Sequence, residues 1–431
     1  MRTARLWLVF LAASSVPVSG RAQFLETTVQ VGQGPIDVLW NPTSNRVYTA
    51  NSLDNTVTII DGATNQVRAT LAVGDFPGEL CWNSVENKVY CLCPEANIVE
   101  VIDGLGDSIM ARVQVEDYPS HAAFSATENK LYVSRTDAGS LVVIDGSADT
   151  VLRQIPVARD GAITMLWHPR SGRLFCAMGD SVSVVDCTTD EVVFGWSVRS
   201  SAWIWCFNPA NGLAYLGGTT SSYVFSPGGD SQMATIPGYV AALCAVPYPN
   251  KLYLYGWHLR YRLAVLDCSS HSVVESIAVY GGPMVCDTVR DKVYTSHDGL
   301  RRVTVLDARA DSVLVTLQLQ ATAAGALCWN QTDSRVYVAD EMGDAVFVLR
   351  DTTTGIAETR PLVASLRGRA CAFVRDAFCW SESKLGQVID AGGRRVAEVR
   401  PGLNDLGRLP AGIYVVVGAD GSPTTRFLKL R

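Results

Sequence analysis

One strand-like phrase recurs eight times between residues 46 and 350, and that repetition constrains the fold more than any single residue does. Each copy opens on a Lys/Arg-apolar-Tyr strand or a relative and closes on a second strand ending in Val-Ile-Asp or a variant of it. The closing triplets are Ile59-Ile60-Asp61, Val101-Ile102-Asp103, Val143-Ile144-Asp145, Val184-Val185-Asp186, Val224-Phe225-Ser226, Val265-Leu266-Asp267, Val305-Leu306-Asp307 and Val348-Leu349-Arg350. They follow one another at 42, 42, 41, 40, 41, 40 and 43 residues. A period of about 40 to 45 residues in strand-forming sequence is that of propeller blades, units that bury their faces only against one another. The main fold expected is therefore all-β, an eight-bladed β-propeller, with seven blades as the alternative.

Within the unit 36–73, an extended stretch leads to the turn formers Pro42 and Asn45. A strand over 46–50, a more apolar one over 56–60 and an alternating outer one over 67–73 follow, so the unit reads as a four-stranded antiparallel meander. Asp closes the third strand in six of the eight units, where its carboxylate can accept backbone N–H groups in an Asx-type turn. One acid per blade is a structural device. Asp61, Asp103, Asp145, Asp186, Asp267 and Asp307 are thus poor catalytic candidates, and the recurrent Tyr48, Tyr90, Tyr132, Tyr215, Tyr253, Tyr294 and Tyr337 read as filling between sheets.

The last unit lacks a fourth strand, and its counterpart stands at the front. Residues 25–31 with Gly32, Gln33, Gly34 and Pro35 match 69–73 with Gly74, Asp75, Phe76 and Pro77. The leading segment is expected to close the ring. Pinning ends so far apart costs on the order of 5 kcal/mol plus a constant, offset by ladder hydrogen bonds and the removal of two sheet edges.

Residues 1–22 have the anatomy of a cleaved export signal: Arg2 and Arg5, an apolar run over 6–18, then Gly20 and Ala22. That run is too short for a transmembrane span. Twelve cysteines in an exported chain invite disulfides. However, Cys81, Cys206, Cys244 and Cys328 share one position of the first strand with Leu39, Ala123, Leu166 and Val285, where Cys acts as a small apolar residue. Free thiols are expected there, while Cys371 and Cys379 are candidates for a local hairpin disulfide. With a formal charge of −6 and Lys and Arg scattered, nucleic acid is not an expected partner.

The string RVYTANSLDNTVTIIDGATNQVRATLAV from Arg46, followed by Gly74 and Pro77, resembles the YVTN family of surface-protein propeller repeats over residues 23–351. The unit ending at Ser226 departs most, with an SPGGD turn in place of the Asp, and a distorted blade is expected there. After a polar linker at 352–358, QVIDAGGRRVAEV (387–399) and LGRLPAGIYVVVGADGSPTTRFLKLR (406–431) resemble the type A C-terminal sorting domain of the type IX secretion pathway. That resemblance implies a small β-sandwich over 359–431 that meets the type IX machinery and is removed at the outer membrane. It also implies a Gram-negative source and a secreted or cell-surface destination.

No catalytic constellation stands out. The five histidines show no metal-binding spacing, no nucleophile elbow or phosphate loop is present, and Cys91-x-Cys93 alone is a weak soft-metal signal. His168 reads as a turn residue. No cofactor is expected. The loops between second and third strands do break the repeat at Trp257, His258, Arg260 and Tyr261 and at His297 and Arg301. Trp203 lies in a loop leading into a first strand beside them. Such a cluster suits a glycan, a carboxylate or a partner protein; the plainer reading is that Trp257 and Tyr261 cover the rim. A non-catalytic, monomeric binder of protein or carbohydrate is expected. The alternative is a lactonase-like or lyase-like enzyme in the channel, disfavoured because the axial strands carry Leu39, Trp40, Cys81, Trp82, Trp167 and Trp329.

Overall fold

The computed structural model describes residues 23–136, 138–157, 164–199, 201–256, 262–297, 300–320 and 324–351, and beyond them seven strands between Cys371 and Lys429. It is all-β, with no helix among the described residues, and its main part is an eight-bladed propeller. Blade 1 comprises β2 (Pro35–Asn41), β3 (Arg46–Asn51), β4 (Thr56–Asp61) and β5 (Val67–Ala72), hydrogen-bonded in that order. Six further blades repeat the meander. The eighth takes its first three strands from Ala324–Asn330, Arg335–Asp340 and Ala345–Asp351, and its fourth is β1 (Gln23–Gln30).

The pairing of β1 shows how closely the leading segment imitates an outer strand. Its antiparallel ladder runs from Gln23 opposite Asp351 to Gln30 opposite Ala345, and its bulge falls opposite the Val348–Leu349 step. Blade 1 has its bulge at the equivalent Ile59–Ile60 step. Side chains secure the same joint: Glu26 takes Arg335 Nη2 at 2.6 Å and Arg350 Nε at 3.0 Å, and the Gln23 amide donates to Asp351.

Each recurring residue has a visible purpose. Asp61 Oδ1 accepts the N–H groups of Ala63 and Thr64, and Asp145, Asp186, Asp267 and Asp307 make the same Asx contact. The seven tyrosines are fully buried between sheets, and several also bond across the blade boundary. Tyr132 donates to Asp190 at 2.6 Å, Tyr253 to Asp311 at 2.7 Å and Tyr337 to Asn65 at 2.8 Å, each acceptor standing in the turn between third and fourth strands of the following blade. The Lys or Arg two residues earlier reaches the same turn. Lys88 binds Asp149 at 2.8 Å, Lys130 binds Asp190 at 2.8 Å, Lys251 binds Asp311 at 2.5 Å and Arg46 binds Asp107 at 2.9 Å. These acceptors occupy left-handed conformations, φ 50–60° at Asn65, Asp107, Asp149, Asp190 and Asp311, a region that Asn and Asp tolerate. The Lys/Arg-apolar-Tyr phrase is therefore an inter-blade clasp.

An inner belt of bonds runs alongside. Asn41 donates to Asn87, Asn83 to Asn129, Asn208 to Asn250, and Asn330 to Asn45 across the ring closure. His168, buried, takes the same place with Nε2 2.8 Å from Gly212 O, so its role is structural.

The clasp from blade 4 into blade 5 (residues 202–237) is missing, and the one from blade 5 into blade 6 keeps its buried Tyr215 but lacks the cation. Phe175 replaces Tyr and Arg173 turns to Asp186 of its own blade, while Leu213 replaces Lys/Arg in blade 5 itself. Phe175, Trp205, Phe225 and Trp196 pack at 5.6–6.4 Å between centroids at the blade 4–blade 5 boundary instead. Blade 5 still forms a full four-stranded sheet, so the expected distortion is confined to the turn near Gly229, whose φ is +72° and whose carbonyl accepts the Trp196 indole N–H.

The ten described cysteines are all free. Cys81, Cys206, Cys244 and Cys328 sit opposite Tyr90, Tyr215, Tyr253 and Tyr337 in their sheets, at one shared register. Cys371 and Cys379 lie in strands Cys371–Val374 and Ala377–Trp380, which belong to different sheets. The expected hairpin between them is therefore not formed, and their side chains fall outside the described residues. The C-terminal strands make a five-stranded and a two-stranded sheet, in a unit separate from the propeller unit Gly20–Thr352.

Candidate functional site

First strands pack against first strands of neighbouring blades around the whole ring, so they line the axis. The loops leading into them share one face with the loops between second and third strands. Three consecutive blades place titratable side chains at the head of the axial strand on that face: Asp37 in blade 1, Glu79 in blade 2 and His121 in blade 3, at intervals of 42 residues. Each stands two residues before the position opposite the conserved-register Tyr or its equivalent.

They are linked in series. Asp37 Oδ2 accepts the Leu80 N–H of the next blade at 2.8 Å, and its Oδ1 accepts the Val38 N–H at 2.8 Å. Glu79 Oε1 accepts the Ala122 N–H at 3.0 Å while Oε2 lies 2.7 Å from His121 Nδ1. The His121 N–H is fixed on Ser134 Oγ at 2.9 Å.

Electrostatics differ along the series. Burial first, and the Glu79 charge second, raise the Asp37 carboxyl to about 7, against the pull of its two backbone donors. At His121 burial acts downward, but the Glu79 bond and charge outweigh it and the imidazole titrates above its ordinary value. Burial and the Glu79 charge push the nearby Cys81 thiol far up, which makes it inert as a nucleophile. The His121 and Glu79 side chains remain 41% and 33% exposed. A proton can therefore be held or released at Asp37 near neutral pH, beside an accessible imidazole-carboxylate pair.

This series corrects the reading of the axial strands as carrying only apolar groups. The signal was present as three polar residues at a constant interval, in a register where the other described blades have Thr164, Ile204, Ala242, Pro283 and Ala326.

Of the residues singled out from sequence, Trp257, His258, Arg260 and Tyr261 lie outside the described residues. Trp203 bulges out of the first strand of blade 5 and packs on Tyr239 of the following lead-in loop, centroids 5.3 Å apart. His297 meets Tyr280 edge-on at 5.3 Å, and Arg302 stands 5.7 Å over the same ring. Arg301 is an exposed turn residue with φ +54° whose carbonyl accepts the Leu319 N–H. The sequence thus named one arginine of the pair and the ring contact uses the other. Tyr239 and Tyr280 were missed because a loop aromatic carries no periodic signal. Phe76, Trp203 and Tyr280 are 41%, 37% and 43% exposed on this face.

Cys91 and Cys93 are buried in the core between blades 1 and 2, and among the described residues no group of three or more His, Cys, Asp or Glu is placed to hold a metal ion.

No protein-family model matches the chain, and no curated protein matches it. Solved structures do. A chain of hydrazine synthase from Kuenenia stuttgartiensis superposes with a TM-score of 0.54 at 17% identity, over 77% of this chain and 99% of that one. The computationally designed Ika8 protein gives 0.61 at 15% identity, over 74% and 98%, and Saccharomyces cerevisiae Sqt1 gives 0.63 at 12%, over 77% and 98%. At such identities the likeness shows the propeller fold alone.

Proposed function

We propose that the chain is an interaction module that docks a protein or carbohydrate on the loop face of the propeller. The observation that supports this most is the exposure of Phe76, Trp203 and Tyr280 on one face beside the polar series at the channel mouth. His297, Arg301 and Arg302 of blade 7 join that surface; Trp257, His258, Arg260 and Tyr261, proposed for it from the sequence, lie outside the described residues. Binding of the full chain to a glycan array and to cell-surface extract tests it. The Trp203→Ala/Tyr280→Ala variant is expected to lose binding at least about tenfold, the effect of removing buried aromatic anchors; full retention rejects the surface.

A second reading is favoured by Asp37, Glu79 and His121, which supply a group titrating near neutrality and an accessible base. On that reading a lactone or uronate-type substrate enters the mouth and Asp37 moves the proton. Turnover that is present in the wild type and abolished in Asp37→Asn, with folding intact, would establish it; no turnover across such a screen leaves the binding module.

The route is likewise proposed: export directed by residues 1–22 and sorting by residues 359–431 to a bacterial surface. Cells expressing a chain cut at residue 351 are expected to retain it in the periplasm.

A further inference from the structure

The loop face is divided by charge. Among the described residues its exposed carboxylates are Asp54 on blade 1, Asp75 and Glu95 on blade 2, Glu116 on blade 3, Asp180 on blade 4 and Glu341 on blade 8. Arg135 of blade 3 is taken up by Asp117; the arginines of this face that form no ion pair among the described residues are Arg199 on blade 5, Arg262 on blade 6, and Arg301 and Arg302 on blade 7. The acidic arc is centred on blade 2 and the basic arc on blade 6, which are diametrically opposed in a ring of eight.

We propose that this face is the interface of a twofold dimer, a second copy of this chain docked face to face. This rests on the reading of the loop face as the docking surface. A face whose acidic and basic arcs are centred on opposite blades sets the centre of one on the centre of the other under rotation about an in-plane axis perpendicular to the line joining them, with only Asp180 and Glu341, on the axial blades, left facing their own copies. Here that axis passes through blades 4 and 8. It lays blade 2 on blade 6 of the other copy, blade 1 on blade 7 and blade 3 on blade 5. Glu116 then faces Arg199, Asp54 faces Arg301, and Asp75 and Glu95 face Arg262.

The apolar residues obey the same operation. Leu53 of blade 1 falls opposite Tyr280 and Leu300 of blade 7, and Met342 of blade 8, 73% exposed, comes to lie against its own copy near the axis. Gln23 and Asp351, the ends of the described propeller strands, pair with each other at the opposite face.

The test is sedimentation velocity of the full chain across salt concentrations, together with two charge-reversed sets, Asp75→Lys/Glu95→Lys/Glu116→Lys and Arg199→Glu/Arg262→Glu/Arg301→Glu. A wild-type dimer that dissociates with salt, at least about tenfold weaker association in each set alone, and dimers restored in their mixture are expected. As a check that does not depend on the reversed sets folding, Met342→Cys is expected to give a disulfide-linked dimer with a mild oxidant, and Val85→Cys on the opposite face is not. A wild type that is monomeric throughout, a dimer indifferent to salt and to both sets, or equal crosslinking at both cysteines overturns the proposal. A monomer that still binds the glycan array or surface extract through Trp203 and Tyr280 overturns self-association alone; one that binds neither removes the docking surface with it.

Discussion

At the scale of the residue, the repeat shows a division between groups that hold blades together and groups that break the pattern. Tyr132 is the plainest example of the first: its ring fills the boundary and its hydroxyl ends on Asp190, which Lys130 also binds. Tyr132→Phe keeps the packing and leaves a buried acceptor short of a donor, so a loss of about 1–2 kcal/mol is expected in urea unfolding, with the m-value unchanged. Asp37 exemplifies the second. Its folded-state value is about 7 against an ordinary 3.8, so the native state binds the extra proton between those values and stability falls as pH rises across that window. Asp37→Asn removes this dependence. Thermal melts from pH 4 to 8 are expected to move in favour of the variant as pH rises and to run parallel above that range; parallel melts throughout would contradict the buried-carboxyl reading. The Asx role of Asp61 and its kin and the filling role of the tyrosines were legible from recurrence. The clasp was not, because its donor and acceptor stand about 60 residues apart in different units and neither predicts the other's position.

At the scale of the element, β1 decides whether the ring is closed. Glu26 is held below the usual carboxylate range chiefly by its bond to Arg335, with burial opposing and the charges of Arg335 and Arg350 assisting. A depressed carboxyl contributes stability above its ordinary pKa and loses it as pH falls through the folded value. Glu26→Gln is thus expected to cost about 1–2 kcal/mol at pH 7, with the difference from wild type shrinking in acid. The sequence located this strand by matching it and its Gly-x-x-Pro exit to the outer strand 69–73 and its exit at Gly74 to Pro77, a pattern set by local turn chemistry. It misjudged blade 5 for the complementary reason: a broken turn motif reads as disorder in the sheet, whereas Phe175, Trp205 and Phe225 supply packing that no local motif records.

At the scale of the whole molecule, packing governs the cysteines. Cys91, Cys93, Cys176, Cys187, Cys244 and Cys268 are buried and free, and the remaining four described ones are half-buried. Native protein is expected to react slowly with a thiol reagent, and denatured protein to titrate at least ten thiols. Rapid native labelling would contradict their burial, and fewer than ten thiols after denaturation would show disulfides in their place. The number of blades was legible because a period is a global property carried by every unit. The polar mouth was less so: Asp37, Glu79 and His121 are ordinary polar residues at strand heads until the packing of blades 1, 2 and 3 sets those heads side by side.

Because every clasp takes its donor from one blade and its acceptor from the blade after it, a typical unit holds both halves of the fastening and fits behind any other typical unit. Duplication or loss of such a unit leaves no fastening unmatched, so a ring of this kind can change its number of members by whole repeats. Blade 5 is excluded from that freedom on its entering side, where Phe175 and Trp196 of blade 4 are fitted to Trp205 and Phe225 and no interchangeable fastening remains.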